Sequence, residues 1–133
     1  ILTPHFYEFS RLFNISYEQV NEDQLRSLLK IQNEINKIVV LKGPTTFISY
    51  GDKLMQNTTG NQGLAVGGSG DILSGMISSF VCQGFSPIIA SAIGVFLHGK
   101  TADELLKIKG VRGLIPSDLI DMLPTVLKKY EIL

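Results

Sequence analysis

A continuous run of β-branched and aliphatic side chains at residues 38–41 constrains the fold of this chain more than any other feature. Such a run is typical of a strand that is buried on both of its faces. Apolar side chains at helical spacing, Leu25, Leu28 and Leu29, precede it. A helix followed by a doubly buried strand indicates a β–α crossover and a parallel sheet. The expected fold class is therefore α/β.

Capping patterns predict the first helices. Residues 1–3 have the character of a strand end, and Pro4 fits the first turn of a helix that runs to about Leu12. Asn21 is the predicted N-cap of the next helix, because Gln24 three residues later completes a capping-box pattern.

A hairpin is predicted after the buried strand. Residues 45–50 predict a second strand, and a Gly-Asp turn at residues 51–52 returns the chain into residues 53–56. Residues 57–70 have no periodic pattern and are expected to form a loop.

Two long helices are predicted beyond this loop. Apolar side chains repeat at helical spacing over residues 72–81, and Pro87 begins a second helix that runs to about Lys107. Because the second helix is apolar nearly all round, it is expected to be largely buried. On this helix, His98 is interpreted as a packed core histidine and Asp103 as a solvated side chain.

Charge and cysteine content exclude several classes of function. The chain carries 12 Lys and Arg against 12 Asp and Glu, so neither a nucleic-acid binder nor a basic membrane-surface domain is expected. The longest apolar stretch, residues 87–97, is too short to span a bilayer. Cys82 is the single cysteine, which excludes an intrachain disulfide and a cysteine zinc cage. A single thiol fits a reducing compartment, and a cytoplasmic location is expected.

Glycine is concentrated in the loop before the first long helix, where residues 67–71 read Gly-Gly-Ser-Gly-Asp. A helix start carries N–H groups without partners and a partial positive charge, and glycine lets an anion approach the backbone closely. This combination predicts a phosphate site. The loop is not a Walker loop, because no Gly-Lys-Ser/Thr follows the glycines. Nor is it a Rossmann fingerprint, because the third glycine is missing at the required spacing.

Asp71 is the unexpected residue of this loop, because a carboxylate repels a phosphate. One interpretation is that Asp71 caps the helix, as acidic residues at helix starts commonly do. The other is that Asp71 is a general base, which takes the proton from a hydroxyl that attacks a phosphate held by the neighbouring N–H groups. The loop alone leaves both interpretations open.

Short segments along nearly the whole chain carry a resemblance to a known family. They are residues 2–5 and 8–9 (Leu-Thr-Pro-His and Glu-Phe), residues 40–43 with Thr46 (Val-Leu-Lys-Gly), residues 59–61 (Thr-Gly-Asn), residues 67–71, residues 84–87, residues 94–99 and residues 117–120. In this order they resemble the carboxyl-terminal part of the ADP/ATP-dependent NAD(P)H-hydrate dehydratases, members of the ribokinase-like superfamily. The glycine–aspartate motif is shared with many ribokinase-like kinases, and the Thr-Pro-His segment makes the resemblance more specific.

The resemblance implies a ribokinase-like three-layer sandwich, with a mostly parallel sheet and helices on both faces. Residues 1–133 are then expected to be the C-terminal part of one nucleotide- and substrate-binding domain whose N-terminal half is absent from this sequence. A homo-oligomer is expected. The full-length protein is expected to contain the N-terminal half or an epimerase domain as well.

The function implied by the resemblance is the repair of hydrated nicotinamide cofactors. The enzyme, a lyase, would use ADP or ATP with Mg²⁺ to phosphorylate the ring hydroxyl of NAD(P)H hydrate, and loss of phosphate would restore NAD(P)H. One alternative is a ribokinase-like kinase for a vitamin precursor, which would use the same loop but keep the phosphorylated product. Another is a nucleotide-binding module without catalysis.

Matching motif positions assigns roles to individual residues. Asp71 is assigned to catalysis and, with His5, to substrate binding, and no residue is assigned to a metal. The residues assigned to nucleotide binding are Lys42, Gly43, Pro44, Thr45, Thr46, Asn61, Gly68, Ser69 and Gly70. The chain departs from the family's pattern after the histidine, where Phe6 and Tyr7 replace Pro-Gly and are expected to narrow or reshape the substrate pocket.

Overall fold

The computed structural model describes residues 1–130, which divide into two compact units: Ile1–Asn57, and a second unit that begins at Thr58. The first unit contains helices and a small sheet. Its elements are α1 (Phe6–Phe13), α2 (Tyr17–Glu22), α3 (Gln24–Gln32), β1 (Val39–Leu41), β2 (Phe47–Tyr50) and β3 (Lys53–Gln56).

The sheet combines antiparallel strands with one parallel edge. The strand order is β1–β2–β3, both pairs are antiparallel, and the hairpin predicted between β2 and β3 is confirmed. Parallel pairing occurs where the first residues run beside β1, with Leu2 opposite Val39 and His5 opposite Lys42. The link between β1 and β2 is too short for a crossover, so this pair is antiparallel, whereas three helices connect the parallel segments. The predicted crossover is thus present before β1.

The core of the first unit lies between the helices and β1. Phe9, Val20 and Leu28, one from each helix, are fully buried and pack with Val39 and Leu41. Val40, which alternates with these two strand residues, is also fully buried. The prediction of a strand buried on both faces is therefore confirmed.

The helix starts of the first unit differ from the predicted ones. Asn21 lies inside α2, so its prediction as an N-cap is wrong. The cap of α3 is instead Asp23, whose carboxylate accepts the N–H of Arg26 at 2.8 Å. Helix α1 begins two residues after Pro4, with His5 as its N-cap.

The second unit is helical in its described part. Its elements are a 3₁₀ turn (Gln62–Leu64), α4 (Ser69–Cys82), α5 (Pro87–Lys109), a second 3₁₀ turn (Val111–Gly113) and α6 (Pro116–Lys128). Both predicted long helices are confirmed, and buried side chains such as Met76, Leu97 and Val126 pack α4, α5 and α6 together. Within residues 1–130 there is no helix that is both long and apolar enough to span a membrane.

The start of α6 is anchored by Asp118. Its carboxylate accepts the N–H of Ile115 at 2.9 Å and pairs with the ammonium group of Lys109. These two interactions, the backbone hydrogen bond first, lower the pKa of Asp118 below its usual range. They fix the first turn of α6, where Pro116 lies against Gly68 of the glycine loop.

Candidate functional site

The glycine loop ends at the N-terminus of α4. Gly68 is the N-cap and has φ +92°, a left-handed conformation that favours glycine. The N–H of Ser69 donates to the carbonyl of Val66, and among the described residues the N–H groups of Gly70 and Asp71 have no acceptor. Two free N–H groups at the positive end of a helix form a site suited to a phosphate.

Asp71 lies at the edge of this site, in the first turn of α4, and its side chain is exposed. Within residues 1–130, no hydrogen bond or ion pair engages its carboxylate. A capping residue would accept an N–H of the first turn. The geometry therefore favours the general-base interpretation over the capping interpretation.

Ser69 is directed away from solvent. It is buried, and its hydroxyl lies 3.2 Å from Nε2 of His98, which is buried on α5. The same nitrogen lies 3.1 Å from the carbonyl oxygen of Ser69. Since a carbonyl oxygen only accepts hydrogen bonds, this contact requires that Nε2 carry a proton. His98 is thus a core histidine, as interpreted, and it also holds the first residue of α4, a role that the sequence did not reveal.

The other end of the loop crosses α5 at very close range. Thr59 donates its hydroxyl to the carbonyl of Phe96 at 2.9 Å, and Gly60 has φ +101°. A β-carbon placed on Gly99 would lie 2.6 Å from the carbonyl carbon of Thr59 and 2.8 Å from the nitrogen of Gly60. Only glycine at position 99 allows this approach of the loop to the helix.

Asn61 is held by Asp103 of α5. One carboxylate oxygen of Asp103 accepts from Nδ2 of Asn61 at 3.1 Å, and the other accepts from the N–H of Gly60 at 3.1 Å. The amide oxygen of Asn61 accepts the N–H of Gly63 at 3.0 Å. The interpretation of Asp103 as a solvated side chain is therefore wrong. Its partners lie 42 and 43 residues away in the sequence, so local patterns carry no signal of them.

In the first unit, His5 and Lys42 are neighbours at the ends of two parallel segments. The imidazole of His5 takes part in the cap of α1: Nδ1 accepts the N–H of Glu8 at 3.3 Å, and the carboxylate of Glu8 accepts the N–H of His5 at 2.8 Å. Nε2 lies 3.5 Å from that carboxylate. Both side chains are about half exposed, so His5 caps a helix and still faces solvent.

The predicted nucleotide residues 42–46 form the link between β1 and β2. Gln24 of α3 closes this link, because its Nε2 donates to the carbonyls of Leu41 at 3.1 Å and of Thr45 at 2.6 Å. Gly43 and Pro44 are exposed. Thr46 is partly buried, and its carbonyl accepts the N–H of Asn57 at 2.9 Å.

Phe6, the first of the two unusual residues after His5, packs on Gly43. A β-carbon on Gly43 would lie 2.5 Å from Cζ of the Phe6 ring. The ring therefore covers the link from the side of α1. Tyr7 is exposed, with the guanidinium of Arg11 5.8 Å from its ring centre.

We expect Gln24→Met to lower the free energy of unfolding by about 1–3 kcal/mol, because two carbonyl groups lose a common donor while the side-chain volume is nearly kept. Urea denaturation measures the change. Gln19→Met is the matched control, because Gln19 lies exposed on α2 and its side chain has no partner among the described residues. Equal stability of the Gln24 and Gln19 variants would contradict the role given to Gln24.

The part of the chain that the structure describes holds no group of three or more His, Cys, Asp or Glu side chains that could bind a metal. The thiol of Cys82 is free and exposed.

Comparison with known proteins identifies a family that the chain matches. A family model described as NAD(P)H-hydrate dehydratase matches residues 1–125. The chain is similar to the bifunctional NAD(P)H-hydrate repair enzyme of Moorella thermoacetica, with 39% identity over 98% of this chain and 25% of the relative.

Two solved structures are also similar. One is the ADP/ATP-dependent NAD(P)H-hydrate dehydratase of Bacillus subtilis co-crystallized with ATP and Mg²⁺ (34% identity, TM-score 0.93, 98% of this chain, 47% of that one). The other is a ribokinase-like superfamily protein of Enterococcus faecalis (36% identity, TM-score 0.82, 96% of this chain, 43% of that one). The predicted ribokinase-like α/β class is confirmed. The chain spans a quarter of the length of the Moorella relative and under half of each solved chain.

Proposed function

The chain belongs to the NAD(P)H-hydrate dehydratase family, and from this membership we propose that it contributes the phosphoryl-transfer site of an enzyme that restores NAD(P)H from its hydrate at the expense of ADP or ATP. The observation that carries the proposal is Asp71. Its carboxylate is exposed, has no partner among residues 1–130 and lies beside the free N–H groups at the start of α4.

Asp71 acts as the general base in this proposal. Its carboxylate takes the proton of the ring hydroxyl as the hydroxyl oxygen attacks the terminal phosphorus of the nucleotide. The bond between that phosphorus and the bridging oxygen breaks, and the shortened nucleotide leaves with the electron pair. The carbon–oxygen bond of the phosphorylated ring then breaks. Phosphate leaves, a proton leaves the neighbouring ring carbon, and the double bond is restored.

The N–H groups of Gly70 and Asp71 stabilise the transferring phosphoryl group, whose charge is spread over its equatorial oxygens. A donor of this kind can contribute about 3 kcal/mol in a water-excluded site. Gly68 lets the backbone turn into the helix, and residues 42–46 and His5 keep their predicted roles toward nucleotide and substrate. The hydroxyl of Ser69 faces His98 and its N–H donates to Val66, so we propose that Ser69 orders the first turn of α4 rather than contacting the nucleotide.

Mg²⁺ is proposed to enter with the nucleotide. Residues 1–130 hold no cluster of three or more carboxylate, His or Cys side chains for the ion, so phosphate oxygens and water are expected to supply its ligands. When bound, the ion supplies neutralisation of the phosphate charge. The Bacillus subtilis relative co-crystallized with ATP and Mg²⁺ supports this part of the proposal.

The test is recovery of the absorbance of the reduced nicotinamide ring from hydrated NADH. We expect recovery that requires both Mg²⁺ and ADP or ATP. The chain is assayed alone and with the amino-terminal portion of the Bacillus subtilis relative supplied as a separate polypeptide. Failure in both arms would contradict the proposal. Stable phosphorylation of a vitamin precursor in the same preparation would favour the kinase alternative.

Three further properties are proposed for the protein that contains this chain. The bifunctional Moorella relative supports a second repair activity, and we propose an epimerase domain as its source. A homo-oligomer is proposed from the family resemblance. A cytoplasmic location is proposed because the exposed thiol of Cys82 suits a reducing compartment.

A further inference from the structure

We propose that Asp103 is a positioning residue for phosphoryl transfer, which acts through Asn61 and Gly60 to hold the loop that leads to the glycine segment. The inference rests on the proposed function for its catalytic meaning. Its structural part concerns only the second unit and is testable without the reaction.

Three hydrogen bonds link Asp103, Asn61 and the backbone of the loop. Asp103 accepts one hydrogen bond at each carboxylate oxygen, from the amide of Asn61 and from the N–H of Gly60. Asn61 in turn accepts the N–H of Gly63. Since a carboxylate only accepts and an N–H only donates, the orientation of the Asn61 amide is fixed by its neighbours on both sides.

The network contacts a part of the loop whose backbone conformation is not fixed by a helix or a strand. Gly60 has a positive φ and lies against Gly99, so neither a side chain nor a regular element fixes this position. A charged acceptor makes stronger hydrogen bonds than a neutral one. Asp103 therefore fixes this part of the loop through two charge-assisted hydrogen bonds, in place of the backbone hydrogen bonds of a regular element.

Both ends of the loop depend on α5. Asp103 and Gly99 order residues 59–61, and His98 holds Ser69 at the first turn of α4. Displacement of residues 59–61 would leave the loop anchored at one end only. The expected consequence is weaker nucleotide binding and slower transfer, although Asp103 itself touches neither nucleotide nor substrate in this proposal.

Exchange of the two side chains tests the pair. Asp103→Asn leaves an amide that accepts only one of the two donors, and Asn61→Asp places two carboxylates face to face. In the double variant, the amide oxygen at position 103 accepts from Gly60, its nitrogen donates to the carboxylate at 61, and that carboxylate still accepts from Gly63. All the hydrogen bonds are restored with the charge moved by one residue.

We measure the dissociation constant of MgADP by calorimetry and the amide hydrogen exchange of residues 58–64 for the full chain. The Asp103→Asn variant is expected to bind MgADP about tenfold more weakly and Asn61→Asp more weakly still, with faster exchange in both. The double variant is expected to return within about threefold of the parent in affinity and to regain protection. Asp121→Asn, the same change at an exposed position of α6, is the control and is expected to match the parent.

The outcomes separate this inference from the proposed function. A double variant no better than the single variants, or an Asp103→Asn variant that matches Asp121→Asn, would overturn the positioning role. If the parent does not bind MgADP, amide hydrogen exchange of residues 58–64 alone tests the inference. Restored protection in the double variant then supports the hydrogen-bonded pair of Asp103 and Asn61. Binding of MgADP without recovery of NADH would count against the proposed function and leave the pair standing.

Discussion

The Asp71→Asn variant is expected to turn over hydrated NADH about 10²–10⁴-fold more slowly than the parent, with MgADP binding kept. The amide cannot take the proton of the attacking hydroxyl. No hydrogen bond is lost within the described residues, because the carboxylate has no partner there. Binding of MgADP is expected to be equal or tighter, because a negative charge beside the phosphates is removed. Turnover is read from nicotinamide absorbance and binding from calorimetry.

The stability of a second variant, Asp71→Ala, separates the two interpretations of Asp71, because asparagine would still cap the helix and alanine would not. Loss of a helix cap would lower the free energy of unfolding by about 1 kcal/mol, which urea denaturation would detect. Loss of a general base that has no hydrogen-bond partner would change the free energy of unfolding little. Unchanged turnover of Asp71→Asn together with lower stability of Asp71→Ala would restore the capping interpretation, and Asp121→Ala supplies the control for loss of one exposed carboxylate.

Gly99→Ala is expected to destabilise the second unit. The added carbon would meet the backbone of Thr59 and Gly60, which cannot swing aside as a side chain end can. Forcing a methyl group into such a contact typically costs about 1–3 kcal/mol. We expect a lower free energy of unfolding and faster amide exchange in residues 58–61, together with weaker MgADP binding.

Gly75→Ala provides the control with the opposite sign. Gly75 lies exposed on α4, and a β-carbon there would meet no atom within 4 Å. Because alanine favours a helix over glycine by about 1 kcal/mol, this variant is expected to be more stable than the parent. If Gly99→Ala were stabilising to the same degree, the close crossing of the loop over α5 would be disproved.

The parts of the fold that depend on local periodicity could be predicted from the sequence. The apolar repeat over residues 72–81 located α4, and the β-branched run located β1. Helix α2 was missed because Val20 is its only buried residue, which is too little for a periodic signal. The cap at Asp23 was misplaced because Asn21 offered an equally good local pattern.

The candidate site could be predicted only where its residues are adjacent in the sequence. The glycine segment and Asp71 form one continuous motif, so the sequence predicts the proposed anion site from it. The roles of Gln24, His98 and Asp103 could not be predicted, because each acts on backbone groups at least 17 residues away. Propensity and spacing describe neighbours along the chain, and these contacts arise only after the elements have packed.

The anchoring of the loop by α5 also has a consequence for the order of folding. The contacts that hold residues 59–61 join positions 37 to 43 apart, and the contact that holds Ser69 spans 29 residues. Contacts of such separation form only after the entropy of closing the intervening chain has been overcome. Competence to bind an anion should therefore emerge as one of the last events in folding, after α4 and α5 have docked. A nascent chain that has not yet completed α5 would contain the whole glycine motif and still lack a formed site.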